Sequence, residues 1–166
     1  MKPIQFVNKF YPFAVEVENE TGIPALAIMA QAALESGWGK KSIGNNIFGI
    51  KFRRGDYGYQ KVLTTEYNKD SNAFNGKEVK SKTYIQEKKL FKFLVYQYFA
   101  DYATPKDAFL AHSTLLLTER YKDALRWRKF PKRYLIAIWR AGYATAPDYP
   151  KRVCPVVDSI IKRLKK

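Results

Sequence analysis

The 166-residue chain contains a single cysteine, Cys154, and a single histidine, His112. One thiol excludes an internal disulfide and any multi-cysteine metal site, and one imidazole excludes a histidine cluster. No cysteine- or histidine-based metal centre is expected, and nothing in the sequence asks for a cofactor. No apolar run approaches the length of a membrane span. The opening residues, Met-Lys-Pro-Ile-Gln-Phe-Val-Asn-Lys, lack the continuous apolar stretch of a secretory leader. Repeats, low-complexity tracts and linkers are also missing, so residues 1–166 read as a single domain. Acidic residues are scarce: 15 Asp and Glu face 30 Lys and Arg, for a net charge of +15. Such an excess implies a polyanionic partner or surface. The bases are scattered along the chain and form no nucleic-acid-binding motif, which sets nucleic acid aside as the partner.

A hydrophobic content of 46% is ordinary for a globular protein, and the length suits one sizeable core. Over residues 4–21, Ile4, Val7, Phe10, Phe13 or Ala14, and Val17 recur at helical spacing, with a kink or restart expected at Pro12 and a stop at Gly22. Residues 25–34 run almost wholly apolar, as in a central core helix over about 24–36, with Pro24 suited to its first turn. Between residues 50 and 102 the pattern changes. Residues 61–67 alternate and are rich in β-branched side chains, and residues 89–98 supply a second apolar and aromatic run. Residues 68–76 read as turn, and further extended residues are expected at 79–85, giving a hairpin or small sheet. Thr104-Pro105-Lys106-Asp107 announces another helix through an N-cap, a first-turn proline and a capping-box-like acid. His112 rides on that helix and is read as a hydrogen-bonded structural residue. Residues 133–141 and 153–164 finish the chain as helices, and the Lys/Arg-rich end, 162–166, reads as a solvated helix face. The fold class is mainly α, with a small β-lobe over about 50–102.

Chemistry concentrates where the central helix ends. Glu35 interrupts the apolar run, and Gly37 and Gly39 supply the permissive backbone that stops it. The carboxyl then lies near the negative end of the helix dipole, beside Leu34 and Trp38, and both features disfavour its charged form. A carboxyl with a raised pKa holds a proton near neutral pH and delivers it, as a general acid must. The loop that follows ends in Asn46, Ile47 and Phe48. Its amides suit hydroxyl and acetamido groups, and its aromatic ring suits either a sugar face or the core.

Ala30-Gln31-Ala32-Ala33-Leu34-Glu35-Ser36-Gly37-Trp38-Gly39 and Asn45-Asn46-Ile47-Phe48-Gly49-Ile50-Lys51 together resemble the signature of bacterial peptidoglycan N-acetylglucosaminidases, the family that includes the flagellar cell-wall hydrolase domain. The resemblance runs from about residue 6 to 164. It implies a lysozyme-like helical domain whose β-lobe lies across a cleft from the helical Glu. Glu35 would be the general acid and Thr64-Thr65-Glu66-Tyr67 would bring the second carboxylate, Glu66, with Glu78 and Glu87 as fallbacks. Glycoside hydrolysis wants such a pair, one group to protonate the leaving oxygen and one to activate water or stabilise positive charge. Trp38, Asn46 and Phe48 become substrate-binding candidates. Glu119-Arg120-Tyr121 and Ala141-Gly142-Tyr143-Ala144-Thr145 are further matched segments, offering Tyr121 and Tyr143 as either cleft groups or buried tyrosines. Two departures stand out: Ala100 replaces a usual Arg in Phe99-Ala100-Asp101-Tyr102, and Ala146 replaces a usual Asp.

The resemblance implies a glycosidase acting on peptidoglycan strands at the bacterial cell wall or periplasm, as an endo-β-N-acetylglucosaminidase, and the chain is expected to be a monomer. Muramidase or lytic transglycosylase activity is the near alternative, and an inactive glycan-binding scaffold the distant one. The +15 charge fits anionic envelope polymers as an additional partner. Release by lysis in the manner of phage enzymes, another export route, or a leader not represented here would each bring it to the wall.

Overall fold

The structure, a computed structural model, describes residues 1–165. It divides into two compact units: Met1–Ile50 with Tyr102–Lys166, and Lys51–Asp101.

The first unit is helical. Helix α1 (Pro3–Thr21) buries Phe6, Val7, Phe10, Ala14 and Val17, which is one stripe at 3.6-residue spacing. Ala14 rather than Phe13 completes that stripe. Pro12 does not restart the helix. It lies on the exposed side, where the carbonyl of exposed Asn8, which loses its usual donor to the proline ring, faces water. Gly22 ends α1 in the left-handed conformation, its N–H donating to the Glu18 carbonyl. Helix α2 (Ala25–Ser36) is preceded by Pro24 in extended geometry, so the proline caps the helix instead of occupying its first turn. Nearly every residue of α2 is buried, because α1, α4 and α5 all pack on it.

Helix α3 (Pro105–Leu116) starts from a reciprocal box in which Thr104 and Asp107 each satisfy the other's backbone N–H. A 3₁₀ segment, Glu119–Trp127, leads to α4 (Pro131–Arg140), and α5 (Tyr149–Leu164) closes the unit. At the basic end of α5, Lys162 is exposed as expected, whereas Arg163 is half-buried with its guanidinium 5.4 Å from the Trp38 ring. Lys166, the last residue of that expected face, lies outside the described residues. Among the described residues no helix is long and apolar enough to cross a membrane.

The second unit is a three-stranded antiparallel sheet ordered β1-β3-β2, formed by β1 (Gly58–Asn68), β2 (Val79–Ile85) and β3 (Leu90–Asp101). The central strand β3 is the long apolar and aromatic one, and β1 pairs with it along the whole of β1, Gly58 opposite Asp101 through Asn68 opposite Phe91. β2 is an almost fully exposed edge strand, interrupted by a register shift between Val79 and Ser81. The sequence signal for it is correspondingly weak.

Candidate active site

Glu35 occupies the last turn of α2, and the backbone that follows turns sharply. Gly37, Trp38 and Gly39 all have positive φ, at 56°, 60° and 78°. Three left-handed residues in a row, one of them a tryptophan, need strong anchoring. Ser36 supplies part of it, its hydroxyl donating to the Ala32 carbonyl at 2.6 Å and accepting from the Gly39 N–H at 2.8 Å. The Trp38 N–H donates to the Ala33 carbonyl at 2.8 Å. A Cβ on Gly39 would press against the Phe6 ring at 3.2 Å, so glycine is needed there for space as well as for φ.

The Glu35 carboxylate forms no hydrogen bond or ion pair among the described residues. Solvent reaches the residue, yet the surrounding protein withdraws enough water to raise its pKa above the ordinary carboxylate range, and the Arg152 charge partly opposes this. An accessible, unpaired carboxyl with raised proton affinity is what proton donation requires.

Beneath this carboxyl lies a buried polar network. Gln31, one turn before Glu35 on α2, donates through Nε2 to the Tyr149 hydroxyl at 3.1 Å, while its Oε1 lies 3.1 Å from His112 Nε2. With the amide oxygen as acceptor, His112 carries its proton on Nε2. Burial pushes the His112 pKa down to about 3, so the ring is neutral. The Phe48 ring lies flat against it, centroids 4.1 Å apart and planes 5° apart.

Tyr143 packs against three of these rings: His112 at 5.9 Å, Tyr149 at 5.7 Å and Tyr121 at 6.3 Å. Burial raises the pKa of both the Tyr143 and Tyr149 phenols, and the negative charge of Glu35 adds to the effect, which places both within its electrostatic reach. The loop carrying Tyr143 is fixed by Arg120, whose Nε and Nη2 donate to the carbonyls of Ala141 and Gly142, each at 2.6 Å. Gly142 has φ 87°, and a Cβ there would collide with the Arg120 guanidinium. Ala146, where the resembling family usually has Asp, contributes its carbonyl to the Trp139 indole N–H at 3.0 Å.

Glu35, Tyr121 and Tyr143 are thus brought together, with Phe48 joined to them through His112. The side-chain amide of Asn46 is engaged by the backbone of Ile50 in both directions, at 2.9 and 3.0 Å, and that of Asn45 donates to the Tyr102 and Ala103 carbonyls. Phe48 is 8% exposed. Trp38 points elsewhere, its ring edge-to-face with Phe6 and covered by Arg163. Gln31, Tyr149, Arg120 and Arg152 escaped the sequence reading. Gln31 had a usable signal, as the one polar side chain within the apolar stretch of 25–34.

In the sheet unit Glu66 is half-buried on β1, on the same face as Val62 and Thr64. Its Oε1 accepts from the Gln97 amide at 3.3 Å, and its charge partly opposes the burial that lowers the Lys51 pKa. Glu78 is paired with Lys61 at 2.6 Å, and Glu87 is exposed in the short turn before β3. Ala100 is fully buried on β3 opposite Tyr59.

The all-helical unit, its antiparallel sheet and the carboxyl at the end of a buried helix define a lysozyme-like glycoside hydrolase domain, and comparison with known proteins sharpens this class. The structure of a C-terminally truncated glycoside hydrolase domain from Salmonella typhimurium FlgJ superposes with a TM-score of 0.74 at 26% identity, covering 97% of this chain and 99% of that one. The peptidoglycan hydrolase from Sphingomonas sp. A1 superposes with a TM-score of 0.63 at 25% identity, covering 98% and 93%. In sequence the chain is 34% identical over 160 residues to the peptidoglycan hydrolase FlgJ of Pseudomonas aeruginosa, covering 92% of this chain and 35% of that protein. For the FlgJ of Vibrio parahaemolyticus the identity is 32% over 165 residues, with coverage of 95% and 47%. The chain therefore spans less than half the length of these relatives. The glucosaminidase family model, described as mannosyl-glycoprotein endo-beta-N-acetylglucosaminidase, matches residues 11–163. The chain belongs to the glucosaminidase family.

Proposed function

We propose that this chain is a catalytic domain that hydrolyses the glycan strands of bacterial peptidoglycan at the cell wall, cutting after N-acetylglucosamine with Glu35 as general acid. The observation that carries this reading is the state of Glu35: unpaired, solvent-accessible, raised in pKa, and held on a strained helix end inside the segment matched by the family. In this reading Tyr143 contacts the sugar or the charge that develops on it, with the buried Tyr121 ring packed behind it. Asn46 and Phe48 hold the loop from below, and Trp38 secures its outer side. Glu66 supplies the second carboxylate, to activate water or stabilise the oxocarbenium-like transition state. It is favoured over Glu78, which Lys61 neutralises, and over Glu87, which sits on an exposed turn.

Mass spectrometry of digested wall tests activity and bond together. The expected product has N-acetylglucosamine at its reducing end. Reducing-end muramic acid or anhydro-muramic acid would reassign the domain to muramidase or lytic transglycosylase chemistry. Glu35→Gln keeps the side chain's shape but removes the transferable proton, and is expected to lower turnover by at least about a hundredfold with folding intact. Wild-type turnover by folded Glu35→Gln protein would sink the acid assignment.

A further inference from the structure

The chain distributes its arginines unevenly, although lysines occur throughout. No arginine occurs between Arg54 and Arg120, although lysines are frequent there, and five of the nine arginines fall within residues 120–140. Lysine is a hydrated point charge suited to general attraction, whereas the planar guanidinium fork matches carboxylates and phosphates in paired hydrogen bonds. Clustering of the second kind is therefore a sign of recognition.

The fold gathers four of these arginines around one cavity. A pocket of about 520 Å³ between the 3₁₀ segment and α4 is lined by Arg120, Arg126, Arg133, Arg140, Trp127 and a single acid, Asp123. Arg126 and Arg133 carry their Cζ atoms 5.5 and 5.1 Å from the centre of the Trp127 ring, within cation–π range. None of the four arginines forms an ion pair among the described residues, so the charge is not neutralised from within. The pocket also shares one backbone loop with the candidate active site. Ala141 lines it, Arg120 grips the carbonyls of Ala141 and Gly142, and Tyr143 follows directly.

We infer that this pocket binds the carboxylates of the peptide carried by the substrate glycan, making the arginine cluster a specificity determinant for peptide-bearing strands. The inference rests on the reading of peptidoglycan as substrate. Three features favour an appended peptide over a separate phosphate polymer. The pocket adjoins the Tyr143 loop, as a substituent of a strand bound there requires. Its volume suits a short segment, whereas a polyphosphate presents a continuous line of charge that calls for a track. The Trp127 indole offers apolar surface to the aliphatic parts of a peptide.

The test compares peptide-bearing glycan with free carboxylates against the same glycan with those carboxylates converted to carboxamides. Replacing Arg126, Arg133 and Arg140 together by Ala is expected to lower kcat/KM on the free-carboxylate glycan by about tenfold or more, with little change on the amidated one. Replacing the same three by Lys keeps the charge but loses the fork, and gives a smaller loss on the same substrate, which decides the matter if the Ala variant fails to fold. Separately, the free-carboxylate peptide alone should shift the Trp127 indole N–H resonance of the wild-type protein, and its carboxamide form should not. That titration reads the pocket even if the domain proves not to cleave glycan, so failure of the functional reading and failure of this inference are distinguishable. Equal losses on both glycans would overturn the inference. So would an indole response to a polyol phosphate or an oligonucleotide with none to the peptide.

Discussion

The proton affinity of Glu35 is set by two opposed influences, and each gives a measurable sign. Withdrawal from water raises its pKa and the Arg152 charge lowers it. Removing Arg152 leaves only the first, so Arg152→Ala is expected to raise the Glu35 pKa further. A general acid must be protonated, so the alkaline limb of the kcat/KM profile should move to higher pH in that variant. An alkaline limb that stays in place or moves down would show that another group sets it. The same raised pKa carries a cost in stability. A carboxyl that binds its proton more tightly in the folded state favours folding when protonated, and this advantage disappears as pH rises from the ordinary Glu range through the raised value. Folded Glu35→Gln protein should therefore be the more stable of the two at neutral pH, with the difference shrinking under acid. Thermal unfolding of both proteins across pH checks it.

Helix ends were the most legible elements, because their signals are local. Gly22 and the Thr104 to Asp107 box each satisfy backbone groups within a few residues. At Pro12 the expected restart is absent, because the effect of a proline depends on which side of the finished helix it occupies. The 3₁₀ segment after α3 has no such local signature, and edge strand β2 buries too little to impose alternation. Least legible was the network under the site, since Gln31 meets His112 and Tyr149 across separations of 81 and 118 residues. That network can be broken by one change. Gln31→Leu keeps an apolar fit in α2 but strips partners from two buried groups, at about 1–3 kcal/mol for each. For a chain of this size each kcal/mol corresponds to roughly 2–4 °C in Tm. A Tm equal to that of the wild type would mean that His112 and Tyr149 find other partners. His112 adds a pH signature. Its folded pKa of about 3 lies below the ordinary imidazole value of 6.5, so the unfolded chain takes up the proton first. The corresponding stability is complete above the unfolded value and is lost as pH falls from there towards about 3, and His112→Gln should flatten that part of the stability curve.

At the scale of the whole molecule the outstanding quantity is charge, and it is spread over both units. The helical unit carries nineteen Lys and Arg against nine acids, and the sheet unit eleven against six. Several acids are already committed: Glu16 and Glu20 to Lys106, Glu78 to Lys61 and Asp158 to Lys132. The excess therefore faces outward, where it gives little stability but a field that attracts polyanions. An insoluble wall is anionic over its whole surface, whereas the bond to be cut joins sugars. Screening shortens the reach of surface charge from roughly 30 Å at 0.01 M salt to about 8 Å at 0.15 M, while hydrogen bonds and ring contacts to a sugar depend on salt far less. We predict that lysis of intact wall falls steeply with added salt, and that cleavage of short, uncharged glycan analogues changes little over the same range. If both substrates lose activity in parallel, the charge acts on the candidate site or on folding, and retention on the wall needs another cause.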